Sequence, residues 1–429
     1  MIPEVDAVIV GGGIVGCAAA YHLARRGLRP LVLEQRTVAA QQSGRSFGFV
    51  RQQGRDPLEL PLAIESNRLW RSLRDDLGAD VGWVQGGILT LAGTEARMAE
   101  FETWLRVARD HGLDTRLLRP RDVESVVPGI QGTWTGALYT ASDGRADPRK
   151  ATEALALAAT SRGARVTTGC CVQSILPPGG AVTGLMTDRG EIRTGRVLCA
   201  AGAWSARLAR TVGLVVPLRL VRSTVALTAP VPTLTPTGVW APGVAFWRHA
   251  DGRLNLSGGS AVDHDIALDS LRHLRLFLPS YWENRSLFRF HVGRRLAHDL
   301  ARLWPASDRH RDARIYERDA DPPPNLVRIR RGVEELRRVL PQVGEVSIER
   351  SWAGYFDVTP DALPILGATP APTRLMVATG FCGRGLALGP LVGRVTAEIL
   401  TGETPSVDLR AFDPTRFTTA RTRKARKPL

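Results

Sequence analysis

Residues 8–16 read VIVGGGIVG, and Glu34 closes the next apolar run, RPLVLE. The apolar residues before the glycines predict a buried strand, and IVGCAAAYHLARRG after them predicts a helix closed by Gly27. Gly11, Gly13 and Gly16 have the G-x-G-x-x-G spacing. The first allows a tight turn, the second lets backbone approach a pyrophosphate, and the third lets helix and strand pack closely. Ile14 and Val15 open the helix, whose free N–H groups and positive dipole end attract phosphate. Glu34, followed by Gln35, stands 18 residues after Gly16, where a carboxylate can bind ribose hydroxyls. The expectation is a βαβ unit that binds a dinucleotide.

The chain has 429 residues, enough for two or more domains with cores of their own. Its net charge of +15 rests on 54 arginines and only three lysines, Lys150, Lys424 and Lys427. That skew points to coding bias more than to a nucleic-acid surface, so an RNA-modifying enzyme stays a lower reading. The end of the chain, ARTRKARKPL, has no apolar periodicity, and residues 416–429 are expected to form a basic, disordered tail. Five cysteines form no CxxC, and His264, His273 and His291 share no helical spacing, so no metal site is expected. The apolar run Ala7–Tyr21 holds four glycines and falls short of the ~20 residues of a spanning helix. An odd cysteine count without a leader points to the cytoplasm, with a peripheral inner-membrane position as the alternative.

Further along, DPRKATEALALAATSRG predicts a helix capped by Asp147 with Pro148 in its first turn. Glycine-bearing strand-to-helix turns recur at Ala200–Gly202 and at Gly380–Gly385. Three separated turns suit one long cofactor held along its length, which favours FAD over a nicotinamide. The textures interleave, giving an α/β (α+β) fold. A Rossmann-like FAD-binding domain is expected from 1–85, 142–214 and 341–415, and a β-sheet-rich substrate domain from 86–141 and 215–340.

SGRSFGFVRQQGRD, DGRADPRKATEALALAATSRGARV, VLCAAGAWS, TPDALPILG and GFCGRGLALGP, in this order with the first glycine loop, resemble the D-amino-acid oxidase-like FAD-dependent oxidoreductases. That family includes sarcosine and glycine oxidases, D-amino-acid dehydrogenases and opine oxidase subunits. The resemblance implies oxidation of the C–N bond of an amino acid or N-substituted amino acid by hydride transfer to flavin N5, giving an imine that hydrolyses. It implies that Ser43, Arg45, Ser46 and Gly48 line the pyrophosphate and ribityl side. Val172 would lie at the adenine end, and Ala201, Gly202 and Trp204 would close over the cofactor. Gly380, Gly383, Arg384, Gly385 and Leu386 would face the flavin ring, with a helix start as electrostatic partner for N1 and O2.

Gly354 stands where monomeric sarcosine oxidases carry the flavin-bonding cysteine, so non-covalent FAD is expected. Ala387, Arg384 and Cys382 replace a lysine, histidine and serine of those enzymes, which puts sarcosine in doubt as substrate. An amino-acid carboxylate calls for a cation, and arginine offers a two-pronged match. The candidates are Arg51, Arg384 and Arg248. Trp247, Tyr355 and Phe356 could wall the pocket, though ordinary core is the simpler reading of each. Cys382 at a helix start could have a lowered thiol pKa, or could simply fill the serine's space. Oxygen, a quinone or a partner protein remain open as electron acceptor. A flavin-bearing subunit of a hetero-oligomer is the runner-up function, and a homo-oligomer is also open.

Overall fold

The computed structural model describes residues 5–176, 180–232, 234–293, 296–297, 300, 321–370 and 374–418. The first glycine loop lies where the sequence predicts, between the strand Ala7–Val10 and the helix Ile14–Ala24. A six-stranded sheet runs in the order Ile365–Ala368, Met376–Thr379, Val197–Cys199, Ala7–Val10, Pro30–Leu33, Arg165–Thr167. All neighbours are parallel except the edge strand Ile365–Ala368. Parallel strands buried on both faces need cover on both. Strand alternation supplies the two surfaces: Ala7 and Ile9 join a core with the helices Ile14–Ala24, Leu60–Leu77, Pro148–Thr160 and Gly385–Thr401. Val8, Val10, Leu31 and Leu33 join a second core under the antiparallel strands Val172–Leu176, Gly184–Thr187 and Gly190–Arg193.

The helix boundaries follow local chemistry. Asp147 accepts the amides of Arg149 and Lys150, each at 3.0 Å, and Pro148 opens the helix. Gly78 and Gly402, both in the left-handed region, end the helices Leu60–Leu77 and Gly385–Thr401.

Among the described residues a ten-stranded sheet forms the other half. Its centre is Arg219–Thr228, flanked by Leu254–Ser257 and Val262–Asp265, and the sheet continues through Val244–Arg248 and Gly238–Ala241 to Ile88–Ala92. The strand Ile348–Val358, grouped by sequence with the nucleotide half, pairs antiparallel with Arg219–Thr228 instead. Composition could not reveal this, because pairing partners lie over a hundred residues apart. A second boundary also moves. Arg416, expected in the tail, pairs with Asp361 at 2.9 Å, and Phe417 is buried. Residues 419–429, the rest of that tail, lie outside the described residues. No helix among the described residues is long and apolar enough to cross a membrane.

Candidate functional site

The two sheets enclose a cavity of about 970 Å³, at the upper end of the range for small-molecule sites. Its wall at the nucleotide end starts at Gly11, where φ is +112° and a side-chain Cβ would stand 2.4 Å from the Ala200 carbonyl oxygen. Only glycine permits that approach, and it brings the first and second turns together. Gly13 lines the cavity beside Ser43, whose hydroxyl accepts the Ile14 amide at 2.9 Å. Gly16 faces away: a Cβ there would meet the Gly11 carbonyl oxygen, so its role is helix–strand packing.

Glu34 is buried and lines the cavity. It accepts the amides of Gly12 at 2.7 Å and Arg36 at 2.8 Å, while burial raises its pKa. Ile14, Val15, Gln35, Arg45, Ser46, Gly48, Val172, Ala201, Gly202 and Trp204 line the same space, as do Gly383, Arg384, Gly385 and Leu386. Eighteen of the twenty expected cofactor positions thus converge from stretches far apart in sequence, whereas Gly380 supports the third turn from behind. Its amide donates to Asp357 at 2.7 Å, and a Cβ on it would stand 2.5 Å from Thr359.

A cofactor fits where polar groups still need partners. Gln42 Nε2 is buried, lacks a hydrogen-bond partner among the described residues, and would stand 3.0 Å from a Cβ on Gly202. Asp357 Oδ1 is likewise buried without a partner, while its Oδ2 accepts from Gly380 and Thr379. A buried polar atom left unpaired costs about 1–3 kcal/mol. A donor and an acceptor so left beside the second and third turns suit a ligand rich in phosphate and hydroxyl groups.

The family profile DAO, described as FAD dependent oxidoreductase, matches residues 6–399. The chain belongs to the DAO family of FAD-dependent oxidoreductases. Glycine oxidase of Geobacillus kaustophilus is 27% identical over 97% of this chain and 98% of its own length. Human mitochondrial sarcosine dehydrogenase is 25% identical over 96% of this chain but only 41% of its own length. This chain therefore spans less than half of that longer relative. The solved L-amino acid deaminase of Proteus myxofaciens, in complex with anthranilate, superposes with a TM-score of 0.89 at 27% identity, covering 97% of this chain and 94% of that one.

The three arginines expected at the substrate end part company. Arg51 lines the cavity, nearly buried, with its guanidinium carbon 5.1 Å from the centre of the Trp240 ring. Arg384 also lines it, but its guanidinium faces Glu59 at 3.1 Å and donates to the carbonyls of Ala362 and Phe381. Arg248 is not among the lining residues; it reaches the His249 carbonyl at 3.5 Å beyond the end of its strand. Trp247 is core, holding the loop before Gly48 by donating to the Phe47 carbonyl at 2.6 Å. Tyr355 and Phe356 do line the cavity. Burial raises the Cys382 thiol pKa, against any activation by the helix start.

Sequence reading missed Arg55 and Glu59. Arg55 lines the cavity, donates to the Arg51 carbonyl at 3.1 Å and lies 4.0 Å from Glu59. Burial lowers the pKa of Arg55 to about 9 and that of Arg51 to about 10, with each also opposed by a neighbouring guanidinium. Asp143, buried nearby, accepts the amides of Gln52 at 2.7 Å and Gln53 at 3.2 Å, and burial raises its pKa to about 6. Arg51, Arg55 and Glu59 follow one another at four-residue intervals, the only trace the cluster leaves in the sequence.

Proposed function

We propose that this chain oxidises the C–N bond of an amino acid or N-substituted amino acid, with Arg51 binding the substrate carboxylate. The observation that carries the reading is the place of Arg51, buried on the cavity wall with its guanidinium over the Trp240 ring. Glu59 faces Arg384, while Arg51 lies over Trp240 toward the enclosed space. A carboxylate there would take two parallel N–H bonds from one planar group. Val221, Val225 and Phe356 line the same cavity and suit an apolar side chain or N-substituent.

When bound, FAD supplies the two-electron acceptor for this chemistry. Gly11, Gly13 and Gln42 would hold its phosphates, Glu34 its ribose, and the turn Gly383–Leu386 its ring. Gly354 has no side chain with which to form a covalent link, so the cofactor is read as non-covalent. The protein's own contribution is to fix the substrate by its carboxylate and to exclude water from the enclosed face. The names of the relatives support the amine class and leave the individual substrate to experiment.

An anaerobic screen tests this. Amines, D- and L-amino acids, N-methyl amino acids and opines are mixed with the yellow protein while flavin absorbance is followed. Loss of the absorbance with at least one amino acid is expected, and a full panel without bleaching by the isolated chain rejects the reading as an autonomous enzyme. Acid precipitation should release all yellow colour into the supernatant. The likeness of SGRSFGFVRQQGRD to opine and glycine oxidase subunits favours one further reading, a flavin-bearing subunit that needs a partner chain. Bleaching by the isolated chain counts against it.

A further inference from the structure

The helix Leu274–Asn284 has two faces of different kinds. One carries buried Phe277 and turns Ser280 and Asn284 to the cavity, where Leu287 and Phe288 join them. The other carries Leu274, Leu278 and Trp282, four residues apart, so that all three project from one side. With Leu271 just before them, these side chains are between 43% and 68% exposed. Phe290 packs its ring 5.3 Å from that of Tyr281 on this helix and is 44% exposed, and Val292 two residues on is 76% exposed. Large apolar side chains gathered on one exposed helix face mark a place of interaction.

The charge around it gives the partner's chemistry. Arg275, Arg285 and Arg289 are exposed along this segment, and Arg285 lies with its guanidinium carbon 5.5 Å from the centre of the Trp282 ring. Apolar residues on one face, a tryptophan among them, and arginines able to reach past them are the features of a helix that lies in a membrane interface. At 11 residues it is far too short to span a bilayer of ~20-residue helices. We propose that this ridge docks the protein on an anionic lipid surface. Leucine and tryptophan side chains enter the headgroup boundary, and the arginines meet lipid phosphates. Because the opposite face of the same helix walls the cavity, docking sets that wall at the membrane surface.

Flotation of the full, FAD-loaded chain with lipid vesicles tests the proposal. The chain is expected to float with vesicles of equal parts phosphatidylcholine and phosphatidylglycerol, and to float poorly with phosphatidylcholine alone. Leu278→Ser combined with Trp282→Ser should lower the bound fraction about tenfold, with an unchanged flavin spectrum reporting an intact fold. Arg275→Glu combined with Arg285→Glu should do the same on the anionic vesicles. Deleting residues 419–429 should leave binding in place. Failure to float, equal flotation of the serine variant, or loss of binding on tail deletion overturns the proposal. So does concentration-dependent dimerisation in place of flotation, abolished by the serine pair, since a second copy would then cover the ridge.

Discussion

Arg384 and Glu59 form an ion pair of 3.1 Å at the base of the Gly383–Leu386 turn, with Glu59 wholly withdrawn from solvent. Neither Glu59 oxygen has a hydrogen bond of good geometry among the described residues, so the contact rests on charge. Removing one partner of a buried pair strands the other charge, at a cost of about 3–5 kcal/mol. Glu59→Gln should therefore lower stability by about 3 kcal/mol in urea unfolding, whereas Glu59→Gln with Arg384→Met should recover part of the loss. An additive double variant would show that the two groups do not depend on each other.

Arg51 should govern substrate binding rather than cofactor binding. Hydrogen bonds to charged groups contribute about 1.5–3 kcal/mol, so Arg51→Met should raise KM for a carboxylate substrate roughly 10- to 100-fold. Bound FAD, read from the visible spectrum, should stay near that of the parent protein. Loss of the flavin instead would assign Arg51 to the cofactor end.

Gln42 holds the opposite end of the account. Its buried Nε2 lacks a partner among the described residues. Gln42→Glu places a carboxylate beside the expected phosphates, and FAD affinity should fall on the order of tenfold or more. Titration of apoprotein with FAD, followed by quenching of flavin fluorescence, measures it. Unchanged affinity would remove Gln42 from the cofactor site.

His22 makes stability depend on pH independently of the reaction. It is buried in the helix Ile14–Ala24, and burial lowers its pKa to about 3 from 6.5. The unfolded chain binds this proton first on acidification, so the contribution is complete above pH 6.5 and is lost as pH falls from 6.5 toward 3. Between neutral pH and pH 5 the loss should be about 2 kcal/mol. His22→Gln should show a correspondingly shallower decline in urea unfolding over that range, and parallel curves for the two proteins would contradict this.

Much of the nucleotide half was legible because its signals are local. Glycine spacing, a capping aspartate and strand alternation each act over a few residues, and the six-stranded sheet follows from them. The pairing of the strand Ile348–Val358 with Arg219–Thr228 was not legible, because its partner is distant in sequence. Arg384 looked like a substrate ligand for a similar reason. Its glycine-turn motif is visible in sequence, but Glu59, the carboxylate that faces it, lies 325 positions earlier. Arg248 lies outside the cavity lining although Ala245 of its strand lines it, a distinction that strand alternation alone does not reveal.

The most direct test of the central claim compares an amino acid with the amine made by removing its carboxylate. Anaerobic flavin reduction is followed for both in the parent protein and in Arg51→Met. The account predicts that the parent strongly prefers the amino acid, at equal limiting rates or better, and that Arg51→Met erases most of this preference. If the parent reduces its flavin equally well with both compounds, or if Arg51→Met keeps the preference intact, Arg51 does not bind the carboxylate and the proposed substrate site is wrong.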